Sequence, residues 1–181
     1  MAAPSEKTAA DMNGRWRLNK GLSGNTNELM TLQGVSWIMK KAISLADIII
    51  CITQRGTGAE TVVVLENTAN FGLRGTTETR LLNWISTSHK DPIWGHVHGR
   101  SKFLSAGEAA QEASLTGLFQ HFGMSAQDII YSEAEAADGT WKSQMLWGFE
   151  LIEGTRYFVR NTRVCRGSKQ ATAQIVYDYI P

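Results

Sequence analysis

The feature that most constrains this chain is the stretch Asn25 to Ala46, NTNELMTLQGVSWIMKKAISLA, because it reads as helix in a chain dominated by strand patterns. Gly34 divides it into two short helices. Its start has the form of a capping box, with Asn25 positioned to cap free backbone donors and Glu28 three residues on. Val35, Ile38, Met39, Ala42 and Ala46 recur at helical spacing, while Lys40 and Lys41 fall on the other side. Met30, Leu32 and Trp37 add apolar surface beyond one narrow stripe, so the pair must cover something. Lying after one strand and before a long series of them, it is placed to cover the mouth of a β-barrel.

The opening strand is Gly14 to Leu18, with Trp16 and Leu18 on one face and arginines on the other. After the helices, Ile48 to Gln54 and Thr61 to Asn67 read as strands joined by a glycine-bearing hairpin loop. Thr76 to Ile85 and Ile93 to Phe103 follow, linked by a polar turn containing Asp91-Pro92. Ser105 to Gly123 reads as a further helix: Ser105 and Glu108 form a capping box, and Leu115, Leu118, Phe119 and Phe122 form one stripe. Gly123 is a stop signal. Strands resume at Asp128 to Glu135, Gln144 to Ile152, Tyr157 to Cys165 and Ala171 to Ile180, with hairpin turns at Asp138-Gly139 and Glu153-Gly154. The pattern predicts a mainly β fold: a closed up-and-down antiparallel barrel of about ten strands, with a two-helix lid and one inserted helix.

The chain of 181 residues suits a single domain, read as 13–181 behind a flexible tail at 1–12 that lacks an apolar signal core. A net charge of +1 argues against a nucleic-acid partner. The run Ile48 to Ile52 is too short to span a bilayer, so no stable membrane insertion is expected. Cys51 and Cys165 lie in strand-like runs, and a disulfide framework is not expected. A cytoplasmic location follows from these features.

Alternation orients several strands. Met145, Trp147, Phe149 and Leu151 share an aromatic-rich face expected to point inward, opposite Leu146, Gly148 and Glu150. Ala173, Ile175, Tyr177 and Tyr179 likewise oppose Thr172, Gln174, Val176 and Asp178. Val97, Gly99 and Ser101 are expected inside, with Trp94, His96, His98, Arg100 and Lys102 outside. Thr77, Thr79, Leu81 and Asn83 are expected inward, because Glu78 and Arg80 are costly to bury. Neither face of Tyr157 to Cys165 is clearly apolar, which leaves the direction of Arg160 open.

Gly14-Arg15-Trp16, the helix pair after the first strand, Glu150 to Gly154 and Ile175-Val176-Tyr177 together resemble the intracellular fatty-acid-binding proteins, within the lipocalin-like (calycin) barrels. TTETRLLNW followed by IWGHVHGRSKF is similar to small fungal lipocalin-like proteins. The resemblance implies a ligand inside the barrel. In that family an arginine, one residue and a tyrosine on the last strand hold a carboxylate. Here Tyr177 matches the tyrosine, but Ile175 stands at the arginine position and Phe149 at that of a second arginine. Without both, the resemblance implies an apolar or neutral ligand with a hydrogen bond to Tyr177; Arg160 would restore an anion site if its strand turned inward.

The expected ligand-binding residues are therefore Trp147, Phe149, Ile175, Tyr177, Met145, Trp37, Thr77, Asn83 and Arg160, with Tyr177 the candidate catalytic group. His96 and His98 share a strand face as in some metal sites, but Arg100 and Lys102 continue that face, which reads as solvated; no metal or cofactor is called for. No nucleophile–base constellation assembles from inward positions. Two functions stand: binding of a small hydrophobic molecule, or cyclase or isomerase chemistry of the pericyclic kind on a hydrophobic biosynthetic intermediate. The ligand's identity, the choice between carriage and catalysis, and the oligomeric state stay open at this level.

Overall fold

The computed structural model describes residues 1–70, 75–119 and 128–181. Ten antiparallel strands form one sheet curled into a nearly closed barrel. β1 (Gly14–Leu18) pairs on one side with β2 (Ile48–Arg55), which leads through β3 (Val62–Ala69) to β4 (Thr76–Leu81). On its other side β1 pairs with β10 (Lys169–Ile180), followed by β9 (Thr155–Arg166), β8 (Lys142–Ile152), β7 (Ile129–Ala136), β6 (Gly95–Leu104) and β5 (Thr87–Asp91). The two ends of the sheet are thus β4 and β5, consecutive in sequence and not paired in a ladder; just past β4, Asn83 bridges Lys102 of β6 and the Trp84 amide donates to the Ser101 carbonyl.

The strand expected over Thr76 to Ile85 stops at Leu81, because Trp84 turns to a positive φ of 63° and the Asn83 side chain accepts from the Ile85 amide. Part of the following polar stretch supplies β5 instead of a turn. The helix expected over Ser105 to Gly123 is two shorter pieces, α3 (Ala106–Gln111) and α4 (Thr116–Phe119), and α3 starts with the Ser105–Glu108 capping box. Phe122 and Gly123 lie outside the described residues. Leu115 and Leu118 are buried against the outer wall, over Leu146, Val159 and Val176. This wall is covered on both faces, which explains apolar residues at outward positions.

The lid is α1 (Asn27–Leu32) and α2 (Trp37–Leu45). Thr26 starts α1 without a side-chain cap, while Asn25 accepts from the Asn27 amide; Ser36 caps α2 by accepting from Met39. Leu29, Met30 and Leu32 bury beneath α1, whereas α2 buries none of its residues, and Ile38 of its expected stripe is exposed. A glycine at φ 78° between them, Gly34, sets the angle at which α2 leaves.

Residues 1–12, expected to be a flexible tail, instead pack across the closed end of the barrel. Ala3, Ala9 and Met12 are buried. Arg156 donates to the carbonyls of Pro4 and Lys7, the Gln54 side chain accepts from Met12 and donates to Ala9, and the Trp16 indole donates to the Met12 carbonyl. Small residues and a methionine gave no strand or helix period to detect, so the segment's hold on the barrel was invisible to pattern reading.

Candidate functional site

A cavity of about 290 Å³ lies inside the barrel beneath α1 and α2. Register decides which side chains reach it. The two-residue turn Glu153-Gly154, with φ of 50° and 77°, fixes the β8–β9 hairpin so that Trp147 stands opposite Arg160 and Met145 opposite Thr162. On the other side of β9, Arg160 pairs with Ile175. Since directly opposed residues share a face, the inward Trp147 brings Arg160 inward too. Met145, Trp147, Arg160, Ile175 and Tyr177 all line the cavity.

Four other expected site residues do not. Phe149 points inward but lies deeper, packed at 5.8 Å from Trp16 and 6.0 Å from Phe158, with the Arg156 guanidinium over its ring. Trp37 is 74% exposed on the outer side of α2, because the helix turns Ile43, not Trp37, toward the cavity. Thr77 is exposed because β4 is turned the opposite way from expectation. Its register pairs Glu78 with Leu65 and Arg80 with Val63, both on the inner face of β3. Asn83 lies past the end of β4, its side chain spent on the Ile85 amide. Leu151, grouped with the inward face of β8, is exposed beside the hairpin turn.

The two charges that were expected outside therefore enter the cavity, and they satisfy each other. Arg80 Nη2 lies 2.6 Å from Glu78 Oε1, and Arg80 Nη1 donates to Ser101 Oγ, which is also hydrogen-bonded to the Ser132 hydroxyl. His89 of β5 stands 3.8 Å from the same Glu78 oxygen. The burial penalty that argued for the opposite face is offset by this pairing. Trp94, expected outside, also lines the cavity, because it precedes Gly95, at φ 77°, rather than continuing the strand.

Arg160 has no such partner. Its guanidinium carbon lies 4.3 Å from the Trp147 ring centre, 5.3 Å from that of Tyr177 and 5.5 Å from that of Phe158. Burial pulls its pKa below the ordinary value; Arg80 adds to this, and Tyr177 and Glu78 oppose it. The side chain stays protonated all the same. Its Nε and Nη2 are shielded from solvent without a hydrogen bond, as are Trp147 Nε1 and Thr162 Oγ1. These polar atoms are covered by protein behind the aromatic wall rather than open to the cavity. Its lid end is apolar, lined by Leu29, Met30, Ile43, Ile48 and Ile50.

A second, polar groove of about 540 Å³ runs along the outer wall, where Arg100 pairs with Glu133, Lys142 with Glu135, and Arg163 donates to the Ser114 carbonyl. Also on that wall, Glu150 is buried under α4 and accepts from Asn161 and Gln174; burial raises its pKa to about 7, against the pull of those two hydrogen bonds. It lies outside the cavity.

No family model matches the chain. Among curated proteins it is 30% identical over 183 residues to "Pericyclase pydY" of an Acremonium species, covering 99% of this chain and 97% of that one. It is 25% identical to "Probable pericyclase scpY" of Mollisia scopiformis, covering 99% and 95%. Among solved structures it is similar to a Schistosoma mansoni fatty-acid-binding protein in complex with arachidonic acid, at a TM-score of 0.60 and 14% identity, covering 97% of this chain and 100% of that one. The last likeness shows the fold.

Proposed function

The chain belongs to the family of the Acremonium pericyclase, and on that premise we propose that it binds a hydrophobic biosynthetic intermediate inside the barrel and there accelerates a pericyclic ring closure. The observation that carries this reading is the full-length match to that pericyclase. The cavity supports it: an apolar end under the lid and an aromatic wall at Trp147 and Tyr177.

Binding comes first and is driven by burial, each CH₂ removed from water contributing about 0.8 kcal/mol before ordering costs. In a pericyclic step, bonds form and break in one cyclic shift of electrons, so no general acid or base is needed. What the site must supply is a folded conformation of the substrate with its reacting ends in contact, and that alone can remove much of the barrier. The Tyr177 hydroxyl is the proposed polarising group, donating to a substrate carbonyl conjugated with a reacting double bond. Ile175 and Met145 would shape the hollow against which the chain folds. The setting we propose is cytoplasmic, where the unpaired Cys51 and Cys165 stay reduced.

Carriage without chemistry is the second reading, favoured by the helix-lidded barrel itself. One experiment separates them. The protein is incubated with linear polyenes bearing a conjugated carbonyl, and ring closure is followed by loss of polyene absorbance and by the ratio of stereoisomers formed. A rate and isomer ratio different from those in buffer support catalysis, with Tyr177→Phe slowing the reaction about tenfold, the worth of one transition-state hydrogen bond. Binding with unchanged background rate and isomer ratio supports carriage.

A further inference from the structure

We propose that this cavity also moves a proton: His89, where β4 meets β5, shifts a hydrogen along an unsaturated carbonyl substrate before the ring closes. The inference rests on reading the cavity as a hydrophobic substrate site and adds a second activity to it.

The two sides of the cavity differ in kind. On β8 and β10 its wall is apolar and aromatic, at Met145, Trp147, Ile175 and Tyr177. Half-way round the sheet order, where β4 meets β5, it is polar and ionisable. Glu78 and Arg80 turn in from β4 opposite Leu65 and Val63. His89 turns in from β5 opposite the buried Val97 and lines the cavity. Asp91, two residues on, has Oδ1 committed to the Ile93 and Trp94 amides. Glu78 and Arg80 complete each other at 2.6 Å, and Arg80 goes on to Ser101, so the pair has no need of the histidine. His89 Nε2 stands 3.8 Å from Glu78 Oε1, beyond hydrogen-bond length, and among the described residues its ring makes no hydrogen bond. Its side chain is 37% exposed and that of Glu78 25%, so both are open rather than covered by protein.

An imidazole with unengaged nitrogens, beside a carboxylate that an arginine holds in place, has the make-up of a general base. The neutral ring takes a proton, and the charge on Glu78 steadies the imidazolium that results. Glu78, already bound to Arg80, positions rather than reacts. The proton within the chemistry of this site is one beside a carbonyl. In a substrate whose double bond lies one carbon out of conjugation, His89 removes a hydrogen from the carbon between carbonyl and alkene. The C–H electron pair becomes a carbon–carbon double bond, and the charge of the dienolate rests on oxygen, where the Tyr177 hydroxyl of the facing wall would hold it. The imidazolium then returns the proton at the far end of the old alkene, giving the conjugated isomer. One C–H bond breaks and one forms, and no oxidant or co-reactant is consumed. The product is the conjugated carbonyl polyene that the proposed ring closure uses, so the reaction that supplies this protein would deliver a deconjugated polyene.

The test uses dec-4-en-2-one, a ketone whose double bond lies one carbon out of conjugation. Displacement of N-phenyl-1-naphthylamine first shows that it is bound. The unaltered protein should convert it to dec-3-en-2-one, followed by the growth of enone absorbance, faster than buffer or an equal concentration of free imidazole does. His89→Ala should lower that rate roughly a hundredfold, the worth of a positioned general base, while dye and ketone bind as before. Added imidazole should restore part of the rate in His89→Ala and leave the unaltered protein as it was, which a merely structural histidine would not produce. If the variant does not fold, carbethoxylation of the unaltered protein, with the modified histidines located by peptide mass, takes its place: the rate should fall with modification of His89 rather than of the others. A bound ketone that isomerises no faster than in buffer overturns the inference and leaves the hydrophobic site standing. So does a ketone that fails to displace bound dye, a rate that survives the loss of His89, or a loss that imidazole does not repair. Failure of both dye and ketone to bind overturns the site reading and this inference together.

Discussion

Arg160 and Glu150 are both buried ionisable groups, yet they stand on opposite sides of one wall and carry opposite consequences. Arg160 is a buried charge faced by aromatic rings and by no carboxylate within ion-pair distance among the described residues. Replacing it by methionine, of similar length and without charge, should raise the stability of the ligand-free protein, by about 1–3 kcal/mol as for other buried charges exchanged for apolar residues. Urea denaturation of the two proteins without ligand measures this; a loss of stability would mean that the contacts with the Trp147, Tyr177 and Phe158 rings outweigh the cost of burying the charge. Glu150 is a matter of pH. Its folded pKa is raised from 4.5 to about 7, chiefly by burial. Between those values the unfolded chain releases the proton that the folded chain keeps, so stability is greatest below pH 4.5 as far as this group is concerned and falls as pH rises toward 7. Above that both states are ionised and the slope vanishes. The loss across the window is at most about 3 kcal/mol. Glu150→Gln should flatten that slope in thermal or urea denaturation series; an unchanged slope would assign it to another group.

At the scale of elements, the segment at residues 1–12 and the lid show how far sequence pattern reaches. The lid helices, the opening strand, the α3 capping box and the final hairpins are legible because each carries a period or a cap that states its own conformation. The closed end of the barrel is not, because it depends on one side chain, Gln54, bonding to two backbone groups more than forty positions away. Gln54→Leu would leave the Met12 amide and the Ala9 carbonyl buried without partners, and should cost about 2–3 kcal/mol in urea denaturation. Trp37→Ala, by contrast, removes a large residue from a site that buries little of it, so its effect should stay within about 0.5 kcal/mol. A comparable loss in both variants would mean that α2 is held more firmly than its exposure implies. The site was partly legible too. Trp147, Met145, Ile175 and Tyr177 follow from alternation, and Arg160 could have been placed by extending the Glu153-Gly154 hairpin register from Trp147. Glu78 and Arg80 could not, because the rule that charges face water holds only for charges without a partner, and their pairing is a fact of three dimensions.

The whole molecule is a barrel whose last seam has only an isolated backbone bridge, Asn83 with Lys102, and is otherwise made of side chains among the described residues. Between β4 and β5 no ladder runs; Arg80 reaches from β4 to Ser101 on β6, and Glu78 faces His89 on β5. Glu78 thus serves both the cavity and the seam. Removing its charge would leave Arg80 as a second unneutralised cation near Arg160, in a wall already carrying one. Glu78→Gln should therefore be destabilising by about 2–3 kcal/mol, less than for a fully buried pair because both side chains keep some contact with solvent. Adding Arg80→Met to it should recover much of the loss, since the two changes together remove the pair rather than half of it. The same variant carries a second signature. With the seam loosened, amides of β4 and β5 should exchange with solvent faster relative to those of β1 and β10, which lie in the continuous part of the sheet. If Glu78→Gln lowers stability but leaves the ratio of exchange rates unchanged, the carboxylate acts only by neutralising charge, and the Asn83–Lys102 bridge and packing close the barrel there without it.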